Sequence, residues 1–325
     1  MLRRPLRTIV VASLLLLAAA ACTSRPQARR DRFVERRMPA VAPDDQRRSL
    51  VHDGIPRSYV VRSPAGVRQG GRPLPLVFVL HGGGGNAANA ERMTGFTQLV
   101  EREQVIVVYP EGTAGREGVP LRTWNAVHCC GAAMQRRVDD VGFIAALLDE
   151  MQRTLPVDPA RVYATGMSNG AMMSHRLGLA LSSRIAAIAP VVGAVFGDEV
   201  MPPVPVSALM INGLLDRSVP AGGGIGQGRG QRQWDGTPTR PNLDQAAFWS
   251  RANGCAPTPV RETRGAVVTT RFDCPEGRRV ELQQISDNGH AWPGGERGGS
   301  RGDTPSSAMR ATEVIWAFFA SVSRR

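Results

Sequence analysis

The sequence contains no lysine: all 40 of its basic residues are arginines. No G-K-[ST] can therefore follow a glycine run, which excludes a Walker-type phosphate loop. Aromatic residues are scarce, at 5%. No recognition helix, zinc finger or stacking pattern accompanies the arginines. The formal charge of +12 thus points away from nucleic acid and toward attraction to anionic cell surfaces. Long apolar runs are missing too. The run at residues 9–21 falls short of the about 20 residues that a membrane-crossing helix needs.

That run follows Arg3, Arg4 and Arg7 and ends in small residues, the pattern of an export signal. It stops at "AAAC", so residues 1–22 are expected to be a signal peptide. Three outcomes stay open: lipidation of Cys22, which would attach the chain to a membrane, simple cleavage near Ala21, and an uncleaved anchor. Residues 23–48, rich in Arg and Pro without periodicity, are expected to be a disordered linker. Residues 49–325 form the expected folded domain, and 42% hydrophobic content over 325 residues is ample for its core. Apart from Cys22, cysteine occurs at 129, 130, 255 and 274. Cys255 and Cys274 flank a strand-like stretch and are expected to pair, whereas Cys129 and Cys130 either bond to each other, stay reduced or pair elsewhere. "HCC" has no second ligand pair at zinc spacing, so no metal is expected.

Two β-rich runs around Asp53-Gly54 predict a hairpin. "LPLVFVL" (74–80) and "VIVVY" (105–109) are continuous apolar runs, as strands covered on both faces require. Helices are predicted over 87–102, 141–154, 169–181, 242–252 and 307–320. Further strands are predicted at 161–166, near "IAAIAPVVG" and at "VSALMING". This alternation predicts an α/β fold with a mostly parallel sheet between helices. Residues 221–241, dominated by Gly, Gln and Arg, predict a mobile surface loop.

"GMSNG" places Ser168 between Gly166 and Gly170, after a predicted strand and before a predicted helix. In a nucleophile elbow the serine sits at a strained, tight turn, and residues two before and two after it must be small. The bland alternative is a helix N-cap. A serine nucleophile needs a base and an acid later in the chain. His290, in "SDNGHAWPGG", is the one histidine in a glycine-rich loop near the C-terminal end. His52, His81, His128 and His175 lie elsewhere. Asp216 follows a predicted strand within a few residues. Asp139 and Asp140 precede the serine and look like N-caps, Asp287 suits support of the His290 loop, and Asp198 is a weaker rival. "LHGGGGNAA" can aim backbone N–H groups at a developing oxyanion; Gly83 and Asn169 are the expected donors.

With these residues in the order Ser, Asp, His, the chain resembles the α/β-hydrolase esterases grouped with secreted polyhydroxybutyrate depolymerases and feruloyl or acetylxylan esterases. "DGIPRSYVV", "LHGGGGNA", "WNAVHCCG", "RVYATGMSNGAMM", "NGLLDRSVP" and "NGHAWPGG" carry the likeness. It implies an α/β-hydrolase fold, a Ser168–His290–Asp216 triad, small-molecule or polymeric ester substrates and no cofactor. Trp124 and Trp292 fall in segments that resemble pocket-lining parts of relatives, with plain core packing as the alternative. Two departures stand out: Asn212, where relatives commonly carry histidine, and the 221–241 stretch. A peptidase on the same fold and a non-catalytic envelope binding protein are the competing classes.

Overall fold

The computed structural model describes residues 47–116, 121–227 and 233–324. The expected signal peptide, Cys22 and most of the expected linker lie outside these residues. Arg47 and Arg48, assigned above to the linker, belong to the first strand instead, because they pair with Val60 and Tyr59.

The described residues form twelve strands and seven α-helices. The strands are β1 (Arg47–His52), β2 (Ile55–Arg62), β3 (Leu74–Leu80), β4 (Ile106–Pro110), β5 (Thr113–Ala114), β6 (Arg122–Thr123), β7 (Val157–Met167), β8 (Ala187–Val191), β9 (Ser207–Gly213), β10 (Val260–Arg264), β11 (Val267–Phe272) and β12 (Val280–Ile285). The helices are α1 (Ala87–Thr94), α2 (Leu99–Glu103), α3 (Gly131–Gln135), α4 (Asp140–Thr154), α5 (Asn169–Ala180), α6 (Asn242–Ala252) and α7 (Ala311–Ala320). Ten strands make one sheet in the order β1-β2-β4-β3-β7-β8-β9-β12-β11-β10. Its centre, from β4 to β12, is parallel, and antiparallel strands close both edges.

The apolar runs read as they do because both sheet faces are covered. Every residue of β3, β4, β8 and β9 is buried. Side chains alternate along β3: Leu76, Phe78 and Leu80 join a core with Phe143, Leu147, Leu177 and Trp249 from α4, α5 and α6. Val77 and Val79 face the opposite core, with Ala90, Met93, Ile315 and Phe319 from α1 and α7. Each fully buried Leu or Phe contributes roughly 1.5–3 kcal/mol.

The predicted helix over 87–102 is divided. Asn86 caps α1 by accepting from the Asn89 N–H at 2.8 Å, and Gly95 ends it at φ 68°. A 3-10 turn over Phe96–Gln98 then leads into α2. The last helix starts at Ala311 rather than 307. Cys255 is bonded to Cys274, and Cys129 to Cys130 across a cis peptide.

Of residues 221–241, expected to form a mobile surface loop, 228–232 lie outside the described residues, and the described flanks carry backbone hydrogen bonds. Gly224 and Thr239 exchange backbone hydrogen bonds of 2.8 and 3.0 Å, and Gln227 N–H donates to Arg217 O at 2.6 Å. Among the described residues no helix is long and apolar enough to cross a membrane.

Candidate active site

β7, β9 and β12 run parallel, so their carboxyl ends share one sheet edge. Ser168 follows β7, Asp216 follows β9 and His290 follows β12. Ser168 has φ 58° and ψ −121° and makes no side-chain cap hydrogen bond, so it is not an ordinary N-cap. The turn closes only without side chains at its flanks. A Cβ on Gly166 would lie 2.7 Å from Gly170 C and Leu80 O, and one on Gly170 would lie 2.5 Å from His81 O.

The Asp216 carboxylate is buried and held from three directions. Oδ1 accepts from the N–H groups of Ser218 and Val219, each at 2.8 Å, and Oδ2 accepts from His290 Nδ1 at 2.7 Å. That last bond fixes the histidine tautomer and leaves Nε2 for a proton. Ser168 Oγ and His290 Nε2 share no hydrogen bond among the described residues. Catalytic hydrogen bonds are often long before substrate arrives.

The glycine turn lies against the elbow: a Cβ on Gly82 would sit 3.6 Å from Ser168 Cβ, and one on Gly83 would sit 3.6 Å from Asn169 Cβ. Gly84 N–H is spent on Arg122 O and Gly85 N–H on Gly82 O. Gly83 N–H has no acceptor among the described residues. The Asn169 side chain is clamped to Trp124, accepting from its N–H at 2.7 Å and donating to its O at 3.0 Å. Its backbone N–H opens α5, where a helix leaves its first donors free.

The other candidates separate cleanly. Asp139 caps α4 through Gly142 N–H, while Asp140 is buried and paired with Arg57 at 2.6 Å. Asp287 accepts from Ser306 Oγ, and Asp198 pairs with His128. His81 is buried and pushed down to about 4, chiefly by desolvation. His175 is pushed down to about 3 for the same reason. His128 stands between Asp198 and Asp235; burial lowers its pKa, but hydrogen bonds to the two carboxylates outweigh that and raise it. Among the described residues one group of metal-ligand chemistry, His52, Asp53 and Asp139, lies on the β1–β2 turn and at the start of α4.

Trp124 and Trp292, expected as pocket-lining residues with core packing as the alternative, are both 0% exposed. Trp124 Nε1 donates to His81 O, and Trp292 Nε1 donates to Thr312 Oγ1, each at 3.0 Å. Both rings are therefore walls of the core. The aromatic that is partly exposed beside the site is Trp234, paired with Cys129, whose Sγ lies 3.7 Å from Asn169 Nδ2. Two further residues escape sequence reasoning. Asp303 accepts from His290 N–H at 2.7 Å. Buried Asn288 bonds Gly289 O, Ala291 O and Ser306 N–H, and its own carbonyl accepts from Leu215 N–H. "DNGH" offers only a faint sign of this, as a turn-forming Asn.

Residues 57–223 match the family model described as Esterase PHB depolymerase. Putative esterase NocK of Nocardia uniformis subsp. tsuyamanensis is 32% identical over 278 residues, covering 81% of this chain and 78% of that protein. Feruloyl esterase B of Piromyces equi is 30% identical over 247 residues, covering 74% of this chain; the chain spans 44% of that longer protein. Acetyl xylan esterase from Aspergillus awamori superimposes with a TM-score of 0.57 at 13% identity, covering 85% of this chain and 99% of that one, which shows a shared fold. With a ten-stranded, centrally parallel sheet and a GxSxG elbow at its carboxyl edge, the chain belongs to the esterase PHB depolymerase family and has the α/β-hydrolase fold.

Proposed function

We propose that this protein is an exported serine esterase that cleaves carboxylic esters, small or polymeric, through an acyl-enzyme. The observation that carries the proposal is the 2.7 Å bond between His290 and a buried Asp216, set on the same sheet edge as a serine at φ 58°. His290 Nε2 takes the Ser168 proton as Oγ attacks the ester carbonyl. The oxyanion is received by the N–H groups of Gly83 and Asn169, each such donor contributing about 3 kcal/mol in the transition state. His290 then returns the proton to the departing alcohol, and water attacks the acyl-serine by the same route in reverse. Asp216 holds the imidazole and stabilises its charged form. No metal or organic cofactor enters these steps.

A fluorophosphonate should label the wild type at Ser168 and leave Ser168→Ala unlabelled. That variant should keep its unfolding temperature and lose p-nitrophenyl butyrate hydrolysis by at least about 10³-fold. Wild-type turnover in the variant, or faster cleavage of peptides than of esters by the wild type, would overturn the proposal. Export is checked separately: the mature N-terminus, read by mass spectrometry, should lie at or near Cys22, with or without lipid.

A further inference from the structure

A cleft of about 580 Å³ lies behind the glycine turn, between the β1–β2 hairpin, the β5–β6 ribbon and residues 136–139. The proposed ester chemistry makes no use of it. Among the described residues four arginines line it, Arg57, Arg122, Arg136 and Arg137, the first two already paired with Asp140 and Glu111, together with two carboxylates, Asp53 and Asp139.

The two carboxylates are already engaged. Asp139 Oδ1 accepts from Gly142 N–H at 2.9 Å, and its Oδ2 lies 3.0 Å from His52 Nε2, which also faces Asp53 at 3.7 Å. The arginines keep spare donors. Arg57 is 3% exposed; its Nη2 bonds Asp140 and Glu111 O, while its buried Nε–H has no acceptor. Leaving a buried donor unmatched costs about 1–3 kcal/mol. Arg137 is exposed and has no side-chain partner among the described residues. Arg136 is anchored to Gly115 O at 2.7 Å and Arg122 to Glu111 at 3.0 Å, which orders both guanidinium groups without neutralising Arg136. Planar guanidinium forks on ordered stems match a carboxylate better than any neutral group.

The cleft also abuts the machinery. Arg122 donates its N–H to Gly85 O and accepts from Gly84 N–H at 2.7 Å, and Gly112 N–H donates to His81 Nε2 at 3.0 Å. Two of its walls are therefore bonded directly to the turn that faces Ser168.

We propose that this cleft is a subsite for the carboxylate of an organic acid, for which trigalacturonate serves as the probe. Arg136 and Arg137 make the first contact. The ligand is either the body of an acidic ester substrate or a free acid that binds independently of turnover.

Calorimetry with Ser168→Ala protein and trigalacturonate tests binding without relying on the esterase reading. Trigalacturonate should bind, its affinity should fall as salt rises, and neutral galactotriose should bind at least tenfold more weakly. Arg137→Ser and, as a second variant, Arg136→Gln should each weaken trigalacturonate at least fivefold with unchanged unfolding temperatures. Equal binding of the neutral sugar, or variants that bind like wild type, would overturn the proposal. The source of the carboxylate is then read from kinetics, an arm that does rest on the esterase reading. If the acid belongs to the substrate, KM for acetylated trigalacturonate falls well below that for acetylated galactotriose, and Arg137→Ser removes the difference. If it is a free ligand, the two KM values agree although binding persists.

Discussion

Ser168 sits in a backbone region that costs a residue other than glycine about 1–3 kcal/mol. That conformation persists because its neighbours leave no room for another: Gly166 and Gly170 place backbone against Leu80 and His81. Gly170→Ala is therefore expected to destabilise the protein by more than about 2 kcal/mol, read as a lower urea midpoint, because backbone atoms rather than a flexible side chain occupy the methyl's place. Asp303 acts at the same scale. It holds the His290 N–H in a loop whose Gly289 has no space for a Cβ. Asp303→Ala should lower kcat more than it raises KM, since in the proposed mechanism it loosens the base and not the substrate; an effect confined to KM would contradict that placement. The elbow turn at Ser168 and the glycine-rich loop that holds His290 are legible in the sequence because both have local signatures. The tryptophans are not, since Trp124 beside "WNAVHCC" reads the same whether its ring is a wall or a binding surface. Only tertiary packing shows that both Trp124 and Trp292 are fully buried.

Between elements, the loops of Asp216 and His290 are stitched together by Asn288. Its carbonyl receives Leu215 N–H, and its side chain spans Gly289, Ala291 and Ser306. Asn288→Ala should cost about 3 kcal/mol of stability, as several buried groups lose partners at once. Below its new melting point it should also reduce kcat/KM. The strand that carries this loop, β12, escapes sequence reasoning. In "VELQQI" the polar Glu281 and Gln283 alternate with apolar residues like a half-exposed strand, yet both are buried, Glu281 because Arg279 pairs with it. A sheet partner that completes a central strand with salt-bridged polar residues has no apolar run to announce it. The hairpin next to it is clearer, because Cys255 and Cys274 bracket it and are bonded. Removing that bond by Cys255→Ala and Cys274→Ala should cost about 3 kcal/mol, the loop-closure value for a separation of 19 residues, measured in urea under oxidising conditions.

Over the whole molecule, folding buries two histidines as neutral groups, His81 near 4 and His175 near 3. The unfolded chain takes up their protons below about pH 6.5 while the folded protein does not. Stability is therefore intact above that pH and falls as pH drops toward 4, by on the order of 3 kcal/mol for each group. His128, with a raised value, works in the opposite sense: its contribution is present below about 6.5 and fades as pH rises through its folded pKa. The unfolding midpoint in urea should decline from pH 7 to pH 4, and His175→Gln should flatten the decline. The parallel sheet itself is legible because continuous apolar strands and intervening helices leave few other topologies. The Gly224–Thr239 bridge joins the two described flanks of the excursion that follows Asp216, and the flanks are tied down in turn, Gln227 to Arg217, Trp234 to Cys129 and Asp235 to His128. A change of sequence at either flank is therefore felt at the Cys129–Cys130 corner, one bond away from the Asn169 side chain.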